Sequence, residues 1–276
     1  VILSRIFAIT NQKGGVGKTT TSVNLAASLA ATKRRVLLVD LDPQGNATMG
    51  SGVNKHTCEI NLYEVLMSKA SAREALQRNT CGGFDLLPSN SNLTAAEVEL
   101  LSVDNKERVL TRSLDPLRLD YDFILIDCPP SLNMLTLNAL VAADGVIIPI
   151  QCEYYALEGL SALMNTIAKV AESINPDIKI EGLLRTMYDP RNSLTNDVSD
   201  QLLQHFGERV YRTVIPRNVR LAEAPSHGEP ALIYDGQSKG AQAYLALAGE
   251  LLRKEEAKRP AAGRKPQQVK QSSWAD

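Results

Sequence analysis

Residues 6–20 constrain this chain most. The β-branched run Ile6–Thr10 leads through Asn11-Gln12-Lys13-Gly14-Gly15-Val16-Gly17 into Lys18-Thr19-Thr20 and an alanine-rich amphipathic stretch. A strand, a glycine-rich turn and a helix start, in that order, are the setting of a phosphate-binding loop. Glycines let backbone N–H groups converge on an anion, and the helix N-terminus adds partial positive charge. In that setting the stretch Gly14, Gly15, Val16, Gly17 and Thr20 wraps the phosphates. Lys18 reaches the β- and γ-phosphates, and the Thr19 hydroxyl takes Mg2+. The usual loop has a glycine where this chain has Gln12, and beside it stands an additional lysine, Lys13.

The rest of the chain repeats the strand–helix alternation. Short apolar runs with few charges occupy Ile6–Thr10, Val36–Asp40, Phe84–Pro88, Phe123–Asp127, Val146–Ile150, Ile180–Arg185 and Val210–Ile215. Continuous runs of this kind suit strands buried on both faces of a parallel sheet. Between them, Thr19–Ala31 and Leu157–Ser173 carry apolar residues at helical spacing. The alternation predicts an α/β fold, a doubly wound, mostly parallel sheet with helices on both faces. Residues 51–71 and 89–115 read as helical insertions. We expect residues 1–256 to form one P-loop ATPase domain and 257–276 a basic, disordered tail.

Two further strands end in carboxylates. Val36–Val39 runs into Asp40-Leu41-Asp42-Pro43, and Phe123–Ile126 into Asp127-Cys128-Pro129-Pro130. Open α/β sheets place their chemistry at the carboxyl ends of their strands. Asp42 is the candidate to orient an attacking water, with Asp40 nearer the loop. Asp127, after an apolar strand downstream of a P-loop, is the candidate to hold Mg2+. GTP-binding P-loop proteins usually carry Asn-Lys-x-Asp. The pairs Asn54-Lys55-His56-Thr57 and Asn105-Lys106-Glu107-Arg108 lack the Asp, which favours ATP.

Together these blocks resemble the ParA/MinD superfamily of dimerising ATPases. Lys-Gly-Gly-Val-Gly-Lys-Thr-Thr is similar to its deviant Walker A motif. The resemblance implies that Lys13 crosses a dimer interface to the partner's nucleotide phosphates, and that Asp42 supports hydrolysis in a switch region. Val214–Ser226, Gln151–Gly159 and Thr186–Asp189 resemble stretches of the small chromosomal ParA (Soj) type. That likeness implies Pro216 packed on the adenine, Asn218 beside it and Met187 as a weaker neighbour. It also implies a homodimer formed with ATP, non-specific binding of double-stranded DNA, and a ParB-type partner that stimulates hydrolysis.

Charge sets a condition on the DNA reading. Of 276 residues, 44% are hydrophobic, and 30 basic residues face 31 acidic ones. A net charge of −1 excludes a polybasic coat, so DNA contacts must form a local patch. Residues 253–276 hold seven basic against three acidic residues, a net +4. Elsewhere Arg185, Arg191, Arg212, Arg217, Arg220 and Lys239 cluster late in the chain, and by resemblance Arg191 and Arg220 are the best DNA contacts. The four cysteines, Cys58, Cys81, Cys128 and Cys152, form no C-x-x-C pair, which fits a reducing compartment; Cys128 reads as a core thiol. Without an apolar run of about 18 residues or a signal-like start, no membrane segment is expected, and the location implied is the cytoplasm and nucleoid. The alternative is a MinD-like or other cargo-positioning ATPase acting on a membrane or protein scaffold.

Overall fold

The computed structural model describes residues 3–258. Six strands form one sheet: β1 (Arg5–Ile9), β2 (Val36–Asp40), β3 (Asp85–Leu87), β4 (Phe123–Asp127), β5 (Gly145–Gln151) and β6 (Lys179–Thr186). Their order is β3-β2-β4-β1-β5-β6, and every pair is parallel. The early helices are α1 (Lys18–Ala31), α2 (Asn46–Gly50), α3 (Leu62–Leu66), α4 (Ala72–Ala75), α5 (Leu93–Glu99) and α6 (Val109–Leu114). The later ones are α7 (Met134–Ala142), α8 (Ala156–Ser173), α9 (Ser193–Phe206), α10 (Val219–Glu223), α11 (Ala231–Tyr234) and α12 (Lys239–Lys258).

Both sheet faces are covered, which is why the strands read as continuous apolar runs. On β1, Ile6 and Ala8 enter one core, while Phe7 and Ile9 enter the other. The same alternation divides Leu37 and Val39 from Val36 and Leu38. A strand side chain changes face at every residue, so both sets must be apolar when helices lie above and below. The second core holds Val23, Leu25 and Leu29 of α1 with Tyr244, Leu247 and Leu251 of α12. On the other face α8 contributes Leu160, Leu163, Ile167 and Val170.

Two expectations need correction. The seventh apolar run, Val210–Ile215, is not a strand; it makes only an isolated bridge from Val210 to Leu183, and its neighbour Pro216 another to Tyr188. Only its ends keep bonds to β6, Tyr211 N donating to the Leu183 carbonyl at 3.0 Å and Ile215 N to the Arg185 carbonyl at 2.9 Å; the groups between them go elsewhere. The Glu250 carboxylate accepts from Arg212 N at 2.8 Å and Thr213 N at 2.9 Å. The Arg185 guanidinium donates to the Tyr211 and Arg212 carbonyls at 3.1 and 3.3 Å. Secondly, Arg185 itself is only 8% exposed, so it leaves the surface cluster of arginines. The predicted helical insertions are built of short helices, α3 in residues 51–71 and α5 and α6 in residues 89–115. The expected tail lies almost wholly outside the described residues, and α12 continues to Lys258.

Candidate nucleotide site

The P-loop sits where β1 ends between β4 and β5, at the carboxyl edge of the sheet. Gly17 caps α1 with φ +83°, the left-handed conformation that glycine adopts without a steric cost. The loop is pinned from three sides. Asn11 Nδ2 donates to the Pro149 carbonyl at 2.8 Å, and Thr186 Oγ1 to the Val16 carbonyl at 2.8 Å. Lys18 Nζ donates to the Lys13 carbonyl at 3.1 Å, bridging the two ends of the loop.

Asp127, at the end of β4, accepts from Thr19 Oγ1 at 2.8 Å and from Ser22 Oγ at 2.7 Å. One turn of α1 separates the two hydroxyls, so both face one strand end. Both carboxylate oxygens thus already have donors, and the Thr19 hydroxyl keeps its lone pairs for a cation. This donor set suits Mg2+ held by Thr19, with Asp127 acting through that hydroxyl or through water. Asp40 lies opposite Asp127 in strand register. Burial pushes both carboxyls up, each helped by neighbouring carboxylate charge. Burial also lowers the Lys18 ammonium, against the pull of the nearby Asp127. A phosphate-bearing ligand with its metal would compensate the Lys18 ammonium and, through Thr19, the Asp127 carboxylate.

Asp40 serves the scaffold. Its Oδ2 accepts from Thr48 N at 2.7 Å and Thr48 Oγ1 at 2.6 Å, which ties α2 to β2. Asp42 is different: its side chain reaches a cavity of about 530 Å3, a size ordinary for small-molecule sites. One wall of that cavity is Gly14, Gly15, Gly17, Lys18, Thr19 and Thr20. The other carries Met187, Pro216 and Asn218. Met187 is held at φ +47°, and Pro216 is bridged to Tyr188. Asn218 caps α10, its side-chain oxygen accepting from Arg220 N at 3.1 Å and Leu221 N at 3.3 Å.

Not every expected residue lies in this cavity. Val16 is buried beside it, its carbonyl taken by Thr186. Lys13 points away, its Nζ 2.5 Å from Glu153 Oε2. Arg191 and Arg220 are on the surface and both ion-paired: Arg191 with Asp189, and Arg220 with Glu223 and Asp235. Cys128 is a buried thiol near the Ile126 carbonyl, as a core residue should be.

Sequence reasoning missed the roles of Ser22, Thr186 and Tyr244. Ser22 was within reach, being three residues after Thr19 on one helix face. Thr186 and Tyr244 meet the loop and α1 across 170 and 223 residues, with no local signal.

Comparison with known proteins places this geometry. A family model described as an AAA domain matches residues 4–180, more than half of the chain. An uncharacterized protein of Pseudomonas putida is 67% identical over 92% of this chain and 96% of its own length. The sporulation initiation inhibitor protein Soj of Bacillus subtilis is 52% identical over 90% of this chain and 98% of its own. A crystal structure of cobyrinic acid a,c-diamide synthase from Mycobacterium smegmatis, with bound ADP and magnesium, is 40% identical with a TM-score of 0.82. It covers 93% of this chain and 97% of that one. With the deviant P-loop, the strand-end aspartates and the parallel sheet arranged as described, the chain belongs to the ParA/Soj family of the ParA/MinD superfamily.

Proposed function

We propose that this chain is a Mg2+-dependent ATPase that dimerises on ATP, binds double-stranded DNA non-specifically and drives chromosome or plasmid segregation with a ParB-type partner. In this reading residues 1–256 act as one ATPase domain of the cytoplasm, associated with the nucleoid. One observation carries it: three separate sequence blocks converge on one cavity, with Lys18 and Thr19 on the phosphate side, Asp127 behind Thr19, and Asp42 opening from the switch region. The similar Mycobacterium smegmatis structure holds ADP and magnesium, which supports the same ligands here. Bound Mg2+ would neutralise phosphate charge. Thr19 and Asp127 would hold it, Lys18 would hold the β- and γ-phosphates, and Asp42 would orient water. Met187, Pro216 and Asn218 would border the base. Among the described residues, no helix is long and apolar enough to cross a membrane.

The test is retention of unrelated DNA duplexes by the full chain with ATP, with ADP and without nucleotide. Retention with ATP alone is the expected result. Nucleotide-dependent dimerisation without DNA retention would move the reading to a positioning ATPase on another scaffold.

A further inference from the structure

A second cavity of about 390 Å3 adjoins the nucleotide cavity: Asn46, at the start of α2, Thr19 and Thr20 line both, and Met49 and Gly50 of α2 line the second alone. The far side of the second cavity is Pro225, Ser226 and Glu229. At its start α2 follows Asp42 and Gln44, which line the nucleotide cavity. It is tied to β2 through the Asp40–Thr48 hydrogen bonds, and Thr48 Oγ1 in turn accepts from Ser89 N at 2.9 Å. These bonds hold the helix and the loop that carries Asp42 together at the end of β2.

Beyond its end, α2 meets the 3-10 turn Ala224–His227 backbone to backbone. Gly52 has φ +81° and Gly228 φ +66°. A Cβ on Gly52 would stand 2.9 Å from the Gly228 carbonyl oxygen, and one on Gly228 would stand 3.1 Å from Gly52 Cα. Cys81 spans this seam, its thiol 3.2 Å from the Gly228 carbonyl and 3.5 Å from the Ser51 carbonyl. The 3-10 turn continues directly from α10, whose Leu221 and Ala222 line the opposite wall of the nucleotide cavity. Phosphate wall and base wall are thus joined twice, through the cavity and through the seam. Bare backbone in contact has no side chain that can repack, so a shift on one side passes to the other. The second cavity leaves α2 room to shift.

We propose that the Gly52–Gly228 seam, with Cys81 across it, couples the γ-phosphate state of the Asp42–Asn46 wall to α10 and the turn that follows. The coupling rests on the reading that the cavity holds ATP. Its consequence is that Arg220, on α10, is presented differently in the ATP and ADP states.

The experiment follows amide exchange of the full chain with saturating ADP or the non-hydrolysable analogue AMPPNP, each with Mg2+. In the parent, AMPPNP slows exchange over residues 224–229 relative to ADP by at least about fivefold, the lower end of usual coupling between sites. Residues 42–50 slow as well. Gly52→Ala or Gly228→Ala keeps the slowing over 42–50 and removes most of it over 224–229. Cys81→Ala keeps both glycines and every cavity residue, and weakens the response over 224–229; it decides the matter if the glycine variants do not fold. Undiminished slowing over 224–229 in the folded variants overturns the coupling. So does a parent in which 42–50 responds to the γ-phosphate and 224–229 does not. A chain that binds neither nucleotide overturns the ATP reading instead, so the two failures are told apart.

Discussion

Lys13 and Glu153 form an ion pair 2.5 Å long between the P-loop and the residues that follow β5, both side chains nearly half exposed. The lysine is therefore held at the rim, outside the cavity of its own chain. A lysine placed so is available to a second copy. Lys13→Ala is expected to bind ATP within a few-fold of the parent and to fail to dimerise, as seen by light scattering with ATP. An exposed pair contributes at most about 1 kcal/mol, so folding should not suffer. Normal dimerisation of the variant would end the crossing role.

Lys18 behaves oppositely. It is 7% exposed, and burial disfavours its charge until phosphate arrives. Lys18→Ala should lose at least about 2 kcal/mol of nucleotide binding, more than tenfold in affinity, because a desolvated charge contact is removed. Titration calorimetry with ATP and Mg2+ measures it. Thermal stability without nucleotide should hold or rise, since a buried amine is gone.

Asp42 makes few structural bonds through its side chain; Oδ1 accepts from Gln44 N at 2.9 Å, and the carbonyl serves Gly45 N and Ser89 Oγ. Asp42→Ala should therefore fold and bind ATP while hydrolysing it about 100-fold more slowly, the usual effect of removing a water-orienting base. Single-turnover hydrolysis and dimer lifetime, measured together, check this. Unchanged turnover would move the role to another residue.

The place of the loop was legible because a phosphate loop is a local pattern: glycines, lysine and hydroxyl within eight residues, on a strand–helix junction. The six strands were legible for a related reason, since burial on both faces removes polar residues from a whole run. Val210–Ile215 carries the same apolar signal and yet is no strand. What interrupts it is Glu250, far along α12, which takes the Arg212 and Thr213 N–H groups between the two bonds that Tyr211 and Ile215 still make to β6. Arg185 misled in the same way: a guanidinium buried by Ser199 and two carbonyls looks, in sequence, like a surface charge. Long-range polar partners leave no periodicity, so neither was readable from the chain alone.

Glu250 gives a stability test of that packing. Burial raises its carboxyl, but bonds from Thr213 N, Arg212 N and Thr213 Oγ1 outweigh burial and hold it below the ordinary glutamate range. A depressed acid contributes stability above its unfolded value and loses it as pH falls through the folded value. Glu250→Gln should cost about 1–3 kcal/mol near neutral pH, the range for a buried bond network left partly unmade. The gap between parent and variant should narrow as pH drops below about 4.5. Urea unfolding at several pH values measures it; a gap constant with pH would place the stabilising charge elsewhere.

The two arginines proposed to contact DNA, Arg191 and Arg220, are both ion-paired, which sharpens what is expected of them. Arg191 is 88% exposed in its side chain, yet it lies 2.7 Å from Asp189, whose carboxyl the arginine holds down at about 2. Arg220 is shared between Glu223 at 2.9 Å and Asp235 at 3.2 Å. A phosphate must compete with these carboxylates, so a single protomer offers weak attraction. Pairing two copies doubles the contacts and steepens the dependence on salt. Arg191→Glu and Arg220→Glu should each weaken ATP-dependent retention of any duplex, without sequence preference, because phosphate contacts carry no base information. Asp189→Asn should do the reverse, freeing Arg191 and strengthening retention at low salt. Filter binding of unrelated duplexes across a salt series, with dimerisation checked in parallel, reads both signs. If Asp189→Asn and Arg191→Glu both bind as the parent does, the patch lies elsewhere, and the basic residues from Arg253 onward become the next to reverse in charge.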